Sequence, residues 1–277
     1  MQIAMVIDLQ KCVGCGACAI ACKTENNTQT RARGQSFNWA DFIYKTEGAF
    51  PEVKYAAIPV RCNHCSEPEC MKQCPKPKAL YKTEEGITMF NYKYCIQCKK
   101  CQDDCPYSAR DVDKAKVAYS VISYNEIDVK THDFYKDKTA LITGCTSSPA
   151  EVAGKDGAPP YRHAYTFRDD KKPLNPKESQ GRGELKDVRT DGWVEKCDFC
   201  IHRLRKSEKP YCVESCPANA RIVGNIEDPG SEVSQLIKKH KPTRLKNNKG
   251  EWLKDGEKGT KPNVYYIKSF KAESQKA

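Results

Sequence analysis

Cysteine is the residue type in this sequence with the clearest capacity for chemistry. The chain of 277 residues contains 17 cysteines, and all but Cys145 fall into four closely spaced quartets. Thiolates bind transition metals strongly, so repeated quartets predict a repeated metal centre. In chain order, the first to fourth quartets are Cys12, Cys15, Cys18 and Cys22; Cys62, Cys65, Cys70 and Cys74; Cys95, Cys98, Cys101 and Cys105; and Cys197, Cys200, Cys212 and Cys216.

Disulfide bonds are one alternative use of these cysteines, and the spacing argues against them. The first quartet packs four thiols into eleven residues, so disulfides within it would crosslink almost nothing. The opening MQIAMVIDLQKC predicts a short strand and lacks the basic and apolar regions of a secretory signal peptide. Disulfide frameworks belong to oxidising compartments and to smaller domains.

Zinc is a second alternative, because tetrahedral sites of four cysteines are common. The fourth quartet, with gaps of 2, 11 and 3 residues, would by itself be typical of a zinc ribbon. The first and third quartets, in CVGCGACAIAC and CIQCKKCQDDCP, instead place three cysteines on one tight loop and a fourth just beyond it. That spacing is typical of bacterial ferredoxins, in which three cysteines bind one iron-sulfur cluster and the fourth binds another.

The residues that follow the quartets fit the ferredoxin motif. A loop around one face of an iron-sulfur cube can supply three thiolates, and the next cysteine points away as the chain turns into a helix. Pro75, Pro106 and Pro217 follow three of the quartets, where proline fixes φ and removes an N–H group. Lys23 follows the first quartet instead. Taken together, the four quartets favour iron-sulfur clusters over zinc.

The composition argues against several other functions. Only 39% of the residues are hydrophobic and 30% are charged, so bound clusters should contribute to folding. No run approaches the roughly 18 apolar residues of a membrane helix. The formal net charge of +11 would suggest a nucleic-acid partner, but four clusters with their thiolates add about −8 and leave about +3. The sequence also has no nucleic-acid-binding motif.

Charged and aromatic residues near the quartets are expected to shape the clusters' surroundings. Positive charge close to a cluster raises its reduction potential, although solvated lysines are an equal alternative. His64 and His202 are expected to be spacers between ligands, and Tyr92, Tyr94 and Tyr107 to pack around a cluster. The lysines beside or close to ligand cysteines are Lys11, Lys23, Lys93, Lys99, Lys100 and Lys196.

Hydrophobic patterning predicts short strands and helices around the quartets. The predicted strands are Ile3 to Asp8, VKYAAIPVRC, GITMF, KVAYSVISYN and NVYYIKSF, and the predicted helices start near Ala17 and in PECMKQCP. A further helix in SEVSQLIKKHKP has Ser231 as its N-cap, and Val233, Leu236 and Ile237 share one face. These elements indicate an α+β fold.

The sequence resembles a known family. The four quartets, with the long-gapped KCDFCIHRLRKSEKPYCVESCPANARIVG, are similar to the four-cluster electron-transfer subunits of molybdopterin oxidoreductases of the dimethyl sulfoxide reductase superfamily. MVIDLQKCVGCGACAIACKTENNT, TEGAFPEVKY, SQLIKKHKPTRLK and KPNVYYIKSF most resemble the small subunit of respiratory arsenate reductases. The resemblance covers most of the chain.

The resemblance implies that ligands cross between quartets. Some relatives replace one ligand and hold a three-iron cluster, whereas here every ligand position is cysteine, so four [4Fe-4S] clusters are expected. The implied ligand sets are Cys12, Cys15 and Cys18 with Cys216; Cys197, Cys200 and Cys212 with Cys22; Cys62, Cys65 and Cys70 with Cys105; and Cys95, Cys98 and Cys101 with Cys74.

The resemblance also implies two ferredoxin-like modules of paired β-α-β units. Residues 1–50 with 191–277 should form module one, and residues 51–125 should form module two, each with two clusters. Residues 126–190 are expected to be an insertion that faces a partner, with a plain solvated insertion as the alternative. Cys145 lies within it, in the apolar TALITGC, and is expected to be a buried thiol without a role.

The function implied is single-electron transfer with no catalytic residues in this chain. The expected partners are a molybdopterin catalytic subunit and a membrane quinol-oxidising subunit or cytochrome, with an oxyanion such as arsenate as the terminal acceptor. A free-standing polyferredoxin and a zinc-binding interaction module are the alternatives. The chain is expected to reach the periplasm with a catalytic partner that carries a twin-arginine signal, with cytoplasmic residence as the other possibility.

Overall fold

The computed structural model describes residues 1–26, 39–91, 94–124, 194–255 and 260–268. The predicted insertion at 126–190, Cys145, Tyr92 and Lys93 lie outside these residues. The described elements, in chain order, are β1 (Ile3–Asp8), α1 (Ala17–Asn26), β2 (Ala40–Glu47), β3 (Lys54–Arg61), α2 (Glu69–Lys72), β4 (Leu80–Lys82), β5 (Thr88–Phe90), α3 (Lys100–Asp103), β6 (Ile122–Tyr124), β7 (Val194–Lys196), α4 (Ile201–Leu204), α5 (Tyr211–Glu214), β8 (Arg221–Asn225), α6 (Glu232–Lys239) and β9 (Val264–Ile267).

The largest sheet joins distant parts of the chain. Its order is β8-β1-β9, with β8 antiparallel and β9 parallel to β1. All six residues of β1 are buried, because one face packs on the main core and the other on a smaller cluster with α6. That double burial explains why β1 is an almost continuous apolar run and does not alternate with polar residues.

Helix α6 confirms the pattern predicted for it. The Ser231 side chain accepts a hydrogen bond from the backbone N–H of Ser234 (3.1 Å) and so caps the helix. Val233 is completely buried, and Leu236 and Ile237 pack against the same apolar cluster. The helix therefore covers the face of the β8-β1-β9 sheet that points away from the cysteines.

The remaining sheets are two-stranded: β2 with β3, β4 with β5, and β6 with β7. The sequence patterns missed β2, whose outer half is exposed and gives little hydrophobic signal. The strand predicted in KVAYSVISYN is shorter than expected and begins only at Ile122. Its earlier N–H groups bond elsewhere, since Ala118 donates to Asn248 and Val121 donates to Tyr107.

Short helices pack in two pairs, and each member carries the third cysteine of a quartet. Helix α1 packs on α5, and α2 packs on α3. The cysteines on these four helices are Cys18, Cys212, Cys70 and Cys101. The packing therefore brings the first quartet to the fourth and the second quartet to the third.

The described residues form a mixed α and β structure of small sheets and short helices. One hydrophobic cluster extends from Met5 and Ile7 through Leu80 and Ile122 to Phe199, so it runs through both predicted modules. Strand β6 also pairs with β7 across the predicted boundary. No helix among the described residues has both the length and the apolar character needed to cross a membrane.

Candidate iron-sulfur centres

In every quartet, one of the two residues between the first and second cysteines has a left-handed backbone conformation. These residues are Gly14 (φ 67°), His64 (φ 44°), Gln97 (φ 60°) and Phe199 (φ 60°). In the first and third quartets a second residue follows the same pattern, at Gly16 (φ 79°) and Lys99 (φ 61°). Such turns direct successive backbone N–H groups into a concavity that suits an anion, as at iron-sulfur sites.

Cysteines of the first quartet meet Cys216 of the fourth. Cys12, Cys15, Cys18 and Cys216 line one pocket that opens to solvent. Burial raises the pKa of Cys18, Arg221 lowers it, and the neighbouring Cys212, Cys12 and Cys216 raise it again. In the described parts of the chain, no three His, Cys, Asp or Glu side chains close around a single metal ion.

Cys22 leaves the rest of its quartet and lies among cysteines of the fourth. Burial raises its pKa well above the usual value, and the neighbouring Cys197 and Cys212 add to the effect. Cys200 has the same neighbours, with its pKa raised first by burial and also by Cys212, Cys22 and Cys197. These four thiols form a group that is buried throughout.

The second and third quartets exchange a cysteine in the same way. Burial raises the pKa of Cys105 to about 12, and its thiol neighbours are Cys62 and Cys65 of the second quartet. The pKa of Cys70 is raised by burial and by Cys105 and Cys62. The second quartet therefore has Cys105 beside it.

Cys74 takes the corresponding place beside the third quartet. Burial raises the pKa of Cys101 to about 12, and Cys95, Cys74 and Cys98 are its thiol neighbours. The Cys101 sulfur also lies 2.9 Å from the hydroxyl oxygen of Tyr124, a contact that the sequence did not predict. Cys98 is exposed, so this group reaches the surface.

Buried cations lie against these thiols. The side chains of Arg61 and Arg221 are almost fully buried. Burial opposes their charge, but cysteine thiolates outweigh it and raise the pKa of both, chiefly Cys197 at Arg61 and Cys212 at Arg221. Arg61 Nε and Nη2 and Arg221 Nη1 and Nη2 have no hydrogen-bond partner within the described residues. Buried donors normally have a hydrogen-bond partner, and because these donors are positively charged, the expected partner is an anion.

The chemistry of these residues fits an iron-sulfur cluster. A [4Fe-4S] core with four thiolates is anionic and needs sulfur ligands, backbone N–H groups and positive charge around it. The raised pKa values of the cysteine thiols agree with this assignment, because a buried thiol keeps its proton until a metal centre displaces it. When bound, such a cluster takes up and releases single electrons.

Four of the lysines and histidines predicted to lie around the clusters have distinct surroundings in the structure. Among the named lysines, Lys196 is fully buried, whereas Lys100 pairs at the surface with Asp104 (2.8 Å). His64 is buried, its ring centroid lies 4.4 Å from that of Phe199, and burial depresses its pKa so that it stays neutral. His202 Nε2 lies 2.6 Å from Glu25 Oε1, so its role goes beyond that of a spacer.

Comparisons with known proteins agree with this geometry. A family model described as a 4Fe-4S dicluster domain matches residues 53–125 and 184–226, and one described as a 4Fe-4S binding domain matches residues 3–24. The fold and the thiol groups define an iron-sulfur electron-transfer protein, and the domains and cysteines correspond to four [4Fe-4S] clusters. The matched models therefore decide between the alternatives in favour of iron-sulfur and against zinc.

The relatives identify the family. The chain is 41% identical to the arsenate respiratory reductase iron-sulfur subunit of Shewanella sp. strain ANA-3, over 98% of this chain and 97% of the relative. It is 32% identical to a selenate reductase subunit of Mesobacillus selenatarsenatis, over 96% of this chain and 72% of the relative. A tetrathionate reductase subunit of Salmonella typhimurium is 28% identical, over 96% and 72%. The chain belongs to the family of 4Fe-4S iron-sulfur subunits of molybdopterin oxidoreductases.

Proposed function

We propose that this chain relays single electrons between a quinol or cytochrome partner and a molybdopterin catalytic subunit, in anaerobic respiration of an oxyanion such as arsenate. The substrate proposal is supported by the full-length similarity to an arsenate respiratory reductase subunit. The relay itself is supported by the linear succession of the thiol groups through the protein.

The proposed ligand sets are the crossed ones. Set A is Cys12, Cys15, Cys18 and Cys216; set B is Cys22, Cys197, Cys200 and Cys212; set C is Cys62, Cys65, Cys70 and Cys105; and set D is Cys74, Cys95, Cys98 and Cys101. The neighbouring thiols described above support each of these groupings. Sets A and B would belong to module one, and sets C and D to module two.

Electrostatic contacts between sets support the order A, B, C, D. Cys18 of set A has Cys212 of set B as a neighbour. Cys197 of set B has Cys62 of set C as a neighbour, and Cys70 of set C has Cys101 of set D. Each set therefore adjoins the next, which is the arrangement that a relay of one-electron carriers requires.

The two ends of this order carry exposed apolar residues suited to partners. Around set A these include Val13 and Ile20, which are 70% and 67% exposed, and the stacked Tyr44 and Tyr55 of the β2–β3 hairpin. At set D, Ile96 is 53% exposed. We assign the set A end to the catalytic subunit and the set D end to the quinol or cytochrome partner.

Anaerobic purification and assay of the native complex test the proposal. The native complex, purified from its host, should contain about 16 irons per copy of this chain, and electrons from a reduced quinol analogue should reach arsenate. Selenate and tetrathionate serve as the competing acceptors. Turnover of either in place of arsenate would replace the substrate proposal, while elution of the native chain alone in size-exclusion chromatography would favour a free-standing polyferredoxin.

The proposed location is the periplasm, reached together with the catalytic subunit. Cell fractionation tests it, with the expected result that this chain and its iron appear in the periplasmic fraction. Disruption of a twin-arginine signal on the partner should then retain both proteins in the cytoplasm. Periplasmic iron-loaded protein in cells without the partner would contradict joint export.

A further inference from the structure

Arg61 directly precedes a ligand of set C, yet its guanidinium group lies beside set B. Its Nη1 is 3.0 Å from the Met5 sulfur and 3.8 Å from the Cys212 sulfur, and its Cζ is 4.0 Å from the centre of the Phe199 ring. The side chain has only 1% of its surface exposed. Arg61 therefore places a positive charge on the far side of the seam between the two predicted modules.

Lys196 makes the reciprocal crossing. It directly precedes Cys197 of set B, and its ammonium group donates to the carbonyl oxygen of Cys197 (3.0 Å). The same group also reaches across to β5, where it donates to the carbonyl oxygen of Thr88 and lies 5.7 Å from the centre of the Phe90 ring. Its charge lowers the pKa of Cys70 in set C. Lys196 is fully buried, so this charge is shielded from solvent.

Sulfur ligands are the anions available to both cations. Within the described residues, no carboxylate forms an ion pair with Arg61 or with Lys196. A buried charge without an ionic partner is strongly unfavourable, even where carbonyl oxygens accept its hydrogen bonds, as they do for Lys196. Two such charges, exchanged across one seam, are therefore expected to be balanced by the ligand thiolates and the clusters they hold.

We infer that Arg61 and Lys196 are a reciprocal pair of potential-setting cations, each carried by one predicted module and acting on the inner cluster of the other. This inference rests on the proposed ligand sets. One-electron reduction adds negative charge without forming or breaking a bond, so a fixed positive charge in a dry site favours the reduced state. Arg61 would raise the potential at set B, and Lys196 would raise it at set C.

The test is a redox titration of the iron-loaded protein followed by electron paramagnetic resonance. Arg61→Met and Lys196→Met should each lower the potential of one inner cluster by at least about 59 mV, which is tenfold in a one-electron equilibrium. Arg61→Lys and Lys196→Arg keep the charge and should restore most of the shift. Lys100→Met removes an exposed cation near set D and should leave both inner potentials unchanged.

Several outcomes would overturn the inference. The inference would fail if fully loaded Arg61→Met had wild-type potentials. It would also fail if Arg61→Lys lowered the potential of the inner cluster as much as Arg61→Met does, because a change in packing alone would then explain the effect. If the methionine variants fail to load iron, Arg61→Gln and Lys196→Gln remove the charge but keep a polar side chain, and the same lowering of one inner potential is expected. Loaded glutamine variants with wild-type potentials would also count against the inference.

An incorrect assignment of ligands would give a different result from an incorrect charge effect. Cys212→Ser should alter the same resonance that Arg61→Met shifts, and Cys70→Ser the same resonance that Lys196→Met shifts. A cation variant that moves a resonance unaffected by its matched cysteine variant would leave the charge effect standing and reject the assignment of ligands.

Discussion

The inner sets B and C differ from the outer sets A and D in their contact with solvent, and set D differs from the other three in the cation that lies near it. Set B is buried throughout, whereas Cys15 of set A and Cys98 of set D are exposed. The buried Arg61 and Lys196 lie near the inner sets, and the buried Arg221 acts on both Cys212 of set B and Cys18 of set A, whereas the cation near the exposed end of set D is the half-exposed Lys100. The protein therefore combines a dry centre with ends that are open to partners.

This difference separates two requirements of an electron relay. The centre needs fixed charges and exclusion of water, because a buried charge acts strongly on its neighbours. The ends need accessible ligands and apolar surface, because electrons enter and leave there. The predictions below test this division, beginning with the largest expected effect.

Removal of all iron and sulfide should abolish the distinction between centre and ends, because the fold itself should be lost. Each proposed cluster ties together distant segments, so cluster binding contributes folding free energy. We expect circular dichroism of the cluster-free chain to lose most of its helix and strand signal and any cooperative unfolding transition. A native-like spectrum after complete removal would show that the apolar core is sufficient.

Loss of one ligand should be more damaging at the centre than at an end. Cys212→Ala removes a buried proposed ligand from α5, next to α1 and Arg61, and should reduce both the folded yield and the iron content by more than one cluster. Cys98→Ala removes an exposed ligand and should leave about 12 of about 16 irons. Iron and sulfide analysis of both purified variants measures the contrast, and equal losses would contradict it.

Substitutions at two glycines near set A separate the cost of backbone strain from the cost of steric crowding. Alanine at Gly14 would adopt φ 67° and bring its Cβ to 2.5 Å from the Ala57 Cβ, whereas alanine at Gly16 would adopt φ 79° with open space around it. We expect Gly14→Ala to cost about 2–4 kcal/mol of stability and Gly16→Ala about 1 kcal/mol. Denaturant unfolding of the loaded protein measures both, and equal costs would mean that contact with Ala57 is unimportant.

A further modest effect on stability concerns Asp8, at the entrance to the set A loop. Asp8 Oδ2 accepts a hydrogen bond from Lys268 Nζ (2.7 Å) and Oδ1 accepts one from the Gln10 N–H (3.0 Å). Although burial alone would raise its pKa, these bonds prevail and lower it. Asp8→Asn should cost about 1–2 kcal/mol in denaturant unfolding at pH 7, and the exposed Asp255→Asn serves as the control.

The sign of the pH dependence follows from the lowered pKa. The stabilisation by Asp8 is fully present above the carboxyl's unfolded pKa of about 3.9 and is lost as the pH falls through the lower folded value. The difference in stability between the wild type and Asp8→Asn should therefore be constant from pH 8 to pH 6. A difference that shrinks within that range would assign the effect to another group.

The quartets and the strongest apolar patterns were predictable from sequence because ligand spacing and burial are local properties. Strand β1 and helix α6 confirm this, as does the resemblance that the relatives bear out. The left-handed turns were only partly visible, since glycine indicates them at Gly14 and Gly16 but nothing in Gln97 or Phe199 does. The assignment of ligands to clusters stays a prediction.

What the sequence could not show depends on packing between distant segments. Arg61 adjoins Cys62 in the chain, yet its charge acts 151 residues away at Cys212. Tyr124 contacts Cys101 only because β6 pairs with β7 and passes over α3. Strand β6 is short for a related reason, because neighbouring loops take the N–H groups that a longer strand would use.

The central place of β1 in its sheet has a consequence for biosynthesis. Both of its neighbours, β8 and β9, lie more than 200 positions later in the chain, so on the ribosome the first strand emerges with nothing to pair with. At about 5–20 residues per second, it waits on the order of ten seconds or more before β9 is translated. Insertion of iron and sulfide at the amino-terminal end is therefore expected to follow completion of the polypeptide.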